Sequence, residues 1–277
     1  MKVLDMPPFA PVLMESTRAM GYSLESAIAD IIDNSIAANA SSIEINFSPY
    51  SSVPFISVLD NGVGMTKEQI NDAMRYGSQS SLNVRESTDL GRFGLGLKTA
   101  SLSQCRCLTV ITKQGRKLEA RRWDLDEIYK KGSWALLSLN SEEIHAIPQF
   151  QEQLKPLKNG TLVLWEKLDR MLNGAKATDK LMNKQMGYVR EHLALVFHRY
   201  LAGESGITKL TIHMNGLEIE PIDPFLIGRS TAFQADEKFV IDGYPVCVSS
   251  FMLPHVSTLT RKEKAALGGT EGLTKGQ

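Results

Sequence analysis

Asp30 and Asn34 stand four residues apart in Asp30-Ile31-Ile32-Asp33-Asn34. On a helix that spacing puts both on one face. A carboxylate there can take a proton, and a carboxamide oxygen can hold a hard cation. A second group is Asp60-Asn61-Gly62-Val63-Gly64-Met65. Its carboxylate can accept a hydrogen bond from an exocyclic amine, and its glycines leave room for a flat ring. The third is Gly91-Arg92-Phe93-Gly94-Leu95-Gly96-Leu97-Lys98. Three glycines let the backbone approach a phosphate closely. The helix expected to follow offers unpaired N–H groups, and Lys98 adds a positive charge. Each group alone has a plainer reading: a solvated helix face, an Asp-Asn-Gly turn and a glycine-rich loop. The third is not a Walker A loop, because Leu97 rather than Gly precedes Lys98, and its glycine order is the reverse of the dinucleotide fingerprint.

The elements around these groups must hold them in place. Residues 23–40 read as a helix with Ser23 as N-cap. At about 100° per residue, Leu24, Ile28, Ile31, Ile32 and Ile36 share one arc, which should pack on a sheet while Asp30 and Asn34 look away. Residues 55–60 read as a buried strand that delivers Asp60 at its end. Thr66 and Gln69 form a capping-box pattern for the next helix.

In this order, D-I-I-D-N, D-N-G-V-G-M and G-R-F-G-L-G-L-K-T-A-S resemble the N, G1 and G2 boxes of the GHKL superfamily. That superfamily holds DNA gyrase B, the Hsp-ninety class of chaperones, histidine kinases and MutL. The last string is most similar to the MORC ATPases and their bacterial relatives. Asn159-Gly160-Thr161-Leu162-Val163-Leu164-Trp165 resembles the Gly-Thr strand late in the same fold. The resemblance is strong over residues 20–166. It implies a Bergerat-type two-layer α/β sandwich, a mixed sheet with helices, followed by a partial transducer-like α+β domain.

The resemblance also implies roles. Asn34 would coordinate Mg²⁺ on the phosphates of ATP. Asp60 would bind the adenine amino group, with Thr161 supporting it through water, and Gly62, Gly64 and Met65 would form the adenine wall. Gly94, Leu95, Gly96 and Leu97 would give backbone N–H groups to the phosphates, and Lys98 would neutralise charge during catalysis. Asp30 falls at the general-base position, where relatives usually carry Glu. Asp is one methylene shorter, and a misplacement of about 1 Å can cost on the order of 100-fold in rate. Slow hydrolysis is therefore expected. Ala37 is a second departure, since relatives often carry an acidic residue there. Residues Tyr76–Leu90, polar and Ser-rich, fit a mobile lid or an ordinary surface loop.

Composition sets further bounds. The chain has 277 residues, 43% hydrophobic, with zero formal net charge, so no global basic signal points to nucleic acid. Lys113, Arg116, Lys117, Arg121 and Arg122 cluster on one expected hairpin, as a local patch or a solvated face. Three cysteines form no disulfide framework, and five scattered histidines show no ligand spacing. No apolar run approaches ~18 residues, and there is no signal-peptide pattern, so a cytoplasmic protein is expected.

Residues 1–22 read as an N-terminal arm, either a strap reaching a second subunit or a segment packed on its own domain. Residues 23–170 read as the ATP-binding domain and 171–277 as an incomplete transducer-like domain, joined near 167–178. Strands are expected at 43–47, 106–113, 116–124, 133–139, 161–166, 208–214, 217–220, 237–242 and 244–252, with a long helix at 179–202. The leading expectation is an ATP- and Mg²⁺-dependent switch that closes its lid and pairs as a homodimer, acting on DNA or in defence through a longer protein. A non-hydrolysing nucleotide sensor or scaffold and a histidine-kinase catalytic domain are the alternatives. No membrane partner is expected.

Overall fold

The computed structural model describes residues 6–19, 21–50, 54–77, 96–171, 179–229, 232–233 and 236–267. Two compact units divide the chain: Met1–Leu193 with Arg199–Ile219, and Ala194–His198 with Glu220–Gln277.

The first unit begins with helix α1 (Ala10–Arg18), started by Pro11, whose missing N–H costs nothing in a first turn. Its inner face buries Ala10, Met14 and Arg18. Arg18 donates from Nε to the Leu102 carbonyl at 2.6 Å and from Nη2 to Asp169 at 2.6 Å. Helix α1 thus packs on the first unit, against α4 and α5.

Helix α2 (Leu24–Ala37) is capped by the Ser23 hydroxyl, which accepts from the Ser26 N–H. It buries Leu24, Ala27, Ile28, Ile31, Ile32 and Ser35. The inward stripe thus runs through Ser35, and Ile36 lies only partly covered. Strands β1 (Ser42–Ser48) and β2 (Phe55–Asp60) follow, then helix α3 (Lys67–Met74), opened by the Thr66–Gln69 capping box. Helix α4 (Gly96–Gln104) packs against α2, and every residue from Lys98 to Gln104 is buried.

Strands β3 (Cys107–Gln114) and β4 (Lys117–Asp124) form a hairpin. Helix α5 (Leu125–Lys131) follows β4. Asp124 caps its start, and Gly132, at φ 61°, closes its end. After the short strand β5 (Leu137–Ser138) come helix α6 (Ser141–His145), a π-helical turn over Phe150–Leu154 and strand β6 (Asn159–Glu166). The expected helix at 179–202 is two: α7 (Asp179–Val196) and α8 (His198–Ala202). Strands β7 (Thr211–Met214) and β8 (Leu217–Glu218) complete an eight-stranded sheet of order β5-β4-β3-β6-β2-β1-β7-β8.

The sheet is mixed: β1 is antiparallel to β2 and parallel to β7. It therefore runs past the 167–178 segment expected to divide the chain. Leu59, Ile111, Leu162 and Leu164 face α6 and the π-helical turn through Ile144, Ile147, Phe150 and Leu154. Side chains alternate along a strand, so Asp60, Thr112 and Thr161 fall on the opposite face, that of α2 and α4.

The second unit holds a pair of strands, β9 (Ala232–Phe233) with β12 (Phe251–Met252), and a hairpin of β10 (Glu237–Ile241) with β11 (Tyr244–Val248). Asp242 and Gly243, at φ 50° and 85°, make its two-residue turn. Helix α9 (Arg261–Ala266) ends the described residues.

Candidate functional site

Strand register builds one end of the site. Asp60 pairs with Thr161 across β2 and β6, and Thr161 pairs with Thr112 across β6 and β3. Three polar side chains thus line one row across three strands. Asp60 is 6% exposed. Its Oδ1 accepts from the Gly62 N–H at 2.8 Å and the Thr161 N–H at 3.2 Å, and its Oδ2 from the Ser35 hydroxyl at 3.1 Å. Burial raises its carboxyl above the ordinary range, and these donors pull against the rise. The Thr161 backbone N–H supports Asp60 directly.

The glycines after Asp60 are needed for space. A Cβ on Gly62 would stand 2.7 Å from the Ala38 carbonyl oxygen, and one on Gly64, at φ +71°, would stand 2.3 Å from that of Lys113. The Met65 N–H donates to the Thr112 hydroxyl at 2.7 Å, pinning the loop to β3. Ser35 and Thr112 are the residues that sequence reasoning passed over. The available signal for Ser35 was its place four residues after Ile31, inside the apolar stripe.

The other end lies where α2 meets the start of α4. Asn34 is exposed, and its Nδ2 donates to the Asp30 carbonyl at 2.7 Å. That bond leaves the carboxamide oxygen as a hard donor for a cation. Among the described residues no cluster of three His, Cys, Asp or Glu could hold a metal. Mg²⁺ commonly takes one or two protein oxygens plus phosphate oxygens, and Asn34 fits that pattern. The Asp30 carboxylate faces the first residue of α4: its Oδ2 would be 3.5 Å from a Cβ on Gly96. Burial raises the Asp30 carboxyl, partly offset by a hydrogen bond from Tyr22. Asp33 is pushed up to about 6, by burial first and by the Asp30 charge second.

Lys98 lies two residues into α4. It is buried, and its Nζ donates to the Ala73 carbonyl in the last turn of α3 at 2.7 Å. Burial lowers its ammonium to about 8. Gly96 and Leu97 open α4, partly covered. Gly94 and Leu95 lie outside the described residues, as does the expected lid after Gly77. Tyr76 and Gly77, at the start of that segment, are described. Tyr76 sits 6.0 Å from the Trp123 ring and 5.4 Å from Trp134. Trp123 donates to the Met74 carbonyl and Trp134 to that of Pro8.

The expected basic patch is largely consumed within the fold. Arg121 is buried against Asn71 and Glu119, Arg122 reaches Thr109 and Glu166, and Lys113 caps the Lys155 and Leu157 carbonyls. Arg116 and Lys117 remain exposed at the hairpin tip. Cys105 and Cys107 are buried thiols, and burial pushes Cys107 up to about 12. Among the described residues no helix is long and apolar enough to cross a membrane.

Several known sequences are similar to this chain. A family model described as "Histidine kinase-, DNA gyrase B-, and HSP90-like ATPase" matches residues 22–161. The chain is 32% identical over 89 residues to ATPase morc-1 of Caenorhabditis elegans, covering 32% of the chain and 10% of that protein. It is 33% identical over 94 residues to ATPase MORC2B of Mus musculus, covering 33% and 9%. It is 28% identical over 95 residues to MORC family CW-type zinc finger protein 3 of the same organism, covering 34% and 10%. The matched stretch is thus about a tenth of each relative's length.

Proposed function

Because the chain belongs to the histidine kinase-, DNA gyrase B- and HSP90-like ATPase family, we propose that it binds ATP with Mg²⁺ between α2 and the start of α4 and hydrolyses it slowly. Asp60 accepts the adenine amino group, and Gly62, Gly64 and Met65 wall the ring. Asn34 would hold Mg²⁺ through its carboxamide oxygen, and the cation would supply charge screening for the phosphates. Gly94, Leu95, Gly96 and Leu97 give backbone N–H groups to the phosphates. Asp30 takes the proton from the attacking water as the γ-phosphorus–oxygen bond to the ADP leaving group breaks. Lys98, whose Nζ also reaches the Ala73 carbonyl at the end of α3, neutralises phosphate charge.

The observation that carries this reading is Asp60: a buried carboxylate that takes three neutral donors and, among the described residues, no ion pair. Such a group can accept one more hydrogen bond from a neutral amine. Similarity to MORC ATPases supports a wider proposal, in which nucleotide closes residues 76–90 over the site and pairs two copies, in a DNA-related or defence setting. The aspartate in place of glutamate favours a second reading, a nucleotide sensor with little turnover.

The test is phosphate release and ATP affinity for the wild type, Asp30→Ala, Asp30→Glu and Asn34→Ala. Asp30→Ala should keep affinity and lose about 100-fold in turnover, and Asn34→Ala should lose Mg-ATP binding. Equal loss of binding in both variants would overturn the division between base and metal ligand. Binding without turnover in the wild type, restored by Asp30→Glu, would select the sensor.

A further inference from the structure

The Thr112 hydroxyl stands where three parts of the fold meet. Thr112 lies on β3 and is 1% exposed. Its Oγ1 accepts from the Met65 N–H, in the loop after Asp60, at 2.7 Å. It donates to the Gly160 carbonyl on β6 at 3.3 Å, and it stands 3.3 Å from the Thr161 hydroxyl. Gly160 is itself fixed: a Cβ there would stand 2.2 Å from the Asp60 carbonyl oxygen, so β6 and β2 meet backbone to backbone at this point.

A threonine hydroxyl has one proton to give and two lone pairs. At Thr112 the Met65 N–H occupies one lone pair. The Gly160 carbonyl can only accept, so it takes the proton. The second lone pair is left for Thr161, whose own proton then turns inward. This arrangement satisfies every group around Thr112, as buried polar groups require. Thr161 keeps only lone pairs for a ligand. Across the β2–β6 register its neighbour is Asp60, which accepts at both carboxylate oxygens.

We infer that Thr112 is a specificity-determining residue for the purine: it draws the Thr161 proton inward, so that Asp60 and Thr161 together offer acceptors only and select an amino purine over a keto purine. An exocyclic amine has protons to give to such a row. A keto oxygen has none, and a Thr161 hydroxyl released from Thr112 could turn its proton toward it. This inference rests on the reading of Asp60 as the acceptor of the adenine amine.

The test is calorimetric affinity for Mg-ATP and for the magnesium complex of inosine triphosphate, which carries a keto oxygen in place of the adenine amine. The chains compared are the wild type, Thr112→Val, Thr112→Ser, Thr161→Val and the Thr112→Val/Thr161→Val double variant, each with its melting temperature. Valine keeps the branched shape that suits a strand. Thr112→Ala, which also lacks the hydroxyl, makes the same comparison should valine fail to fold. The wild type should prefer ATP. Thr112→Val should narrow that preference about fivefold, the scale of one hydrogen bond. Thr112→Ser should keep it, and in the Thr161→Val background Thr112→Val should narrow it no further. A preference unchanged in Thr112→Val, even with both affinities and the melting temperature lowered, makes Thr112 a loop anchor alone and overturns the inference. So does a narrowing that persists without the Thr161 hydroxyl, or one that Thr112→Ser shares. A wild type that binds neither triphosphate, or both equally, overturns the reading of Asp60 itself, and this inference with it.

Discussion

The two ends of the site are built on opposite terms. At the Asp60 end the polar groups are paired inside the fold: Ser35, Gly62 and Thr161 donate to one carboxylate, and Thr112 anchors the loop through Met65. At the Asp30 end Asn34 is exposed, and two carboxylates on neighbouring turns, Asp30 and Asp33, are both held above their ordinary range. The first end is finished before any ligand arrives. The second has accumulated negative charge and one open oxygen donor, which a cation would relieve. On the proposed function, binding specificity belongs to the internally paired end and chemistry to the charged one.

Asp60→Ala gives the largest effect. It removes the expected adenine contact and leaves the Gly62 and Thr161 N–H groups without their acceptor, at about 1–3 kcal/mol for each buried group left unpaired. Calorimetric affinity for Mg-ATP should fall at least ~100-fold. Affinity within about threefold of wild type would remove the contrast between the two ends. Gly64→Ala comes next, through the fold. Its new Cβ meets the Lys113 carbonyl at a positive φ, and a loss of about 3 kcal/mol is expected, read as a lower melting temperature. A variant as stable as the wild type would show that this loop adapts.

Ser35→Ala should weaken ATP binding about fivefold, the worth of one hydrogen bond to a carboxylate, with kcat unchanged. A change in kcat instead would show that Ser35 acts at the other end. The smallest effect is at Asp33. Its carboxyl is raised to about 6 in the folded chain, so the folded chain keeps a proton that the unfolded chain releases from roughly pH 4 upward. Stability therefore falls as pH climbs through the window up to about 6, and the cost persists above it. Asp33→Asn should melt higher than wild type at pH 7.5, with the gap closing near pH 4. An equal gap at both pH values would mean that charge burial is not its cause.

Much of this was legible because local rules held. Ser23 and the Thr66–Gln69 box cap the helices they were expected to cap, and the alternation of Ile43, Ile45 and Phe47 marks β1. Asp60 closes its strand as its motif implied. What stayed hidden depended on partners distant in sequence. The direction of Lys98 could not be read, because α4 is covered on all sides and shows no polar face. Thr112 looks like any strand threonine until register sets it beside Thr161. The place of β7 beside β1 is a parallel pairing across more than 150 residues, and no local pattern encodes it. Ser35 stood in view but was outvoted by Ile36 in the apolar arc. A small hydroxyl in a buried stripe is a hydrogen-bond donor first.

The chain also carries its own optical reporter. Of its three tryptophans, Trp165 is in the core, while Trp123 and Trp134 stack edge-on at 6.3 Å around Tyr76. Aromatic rings so close couple their transitions, giving near-ultraviolet circular dichroism that depends on their mutual angles. Tyr76 is the last aromatic residue before the 78–95 segment, and Trp134 is tied to Pro8 of the arm. Any rearrangement at the root of that segment or in the arm rotates one ring against another, so it registers as a spectral change without a label.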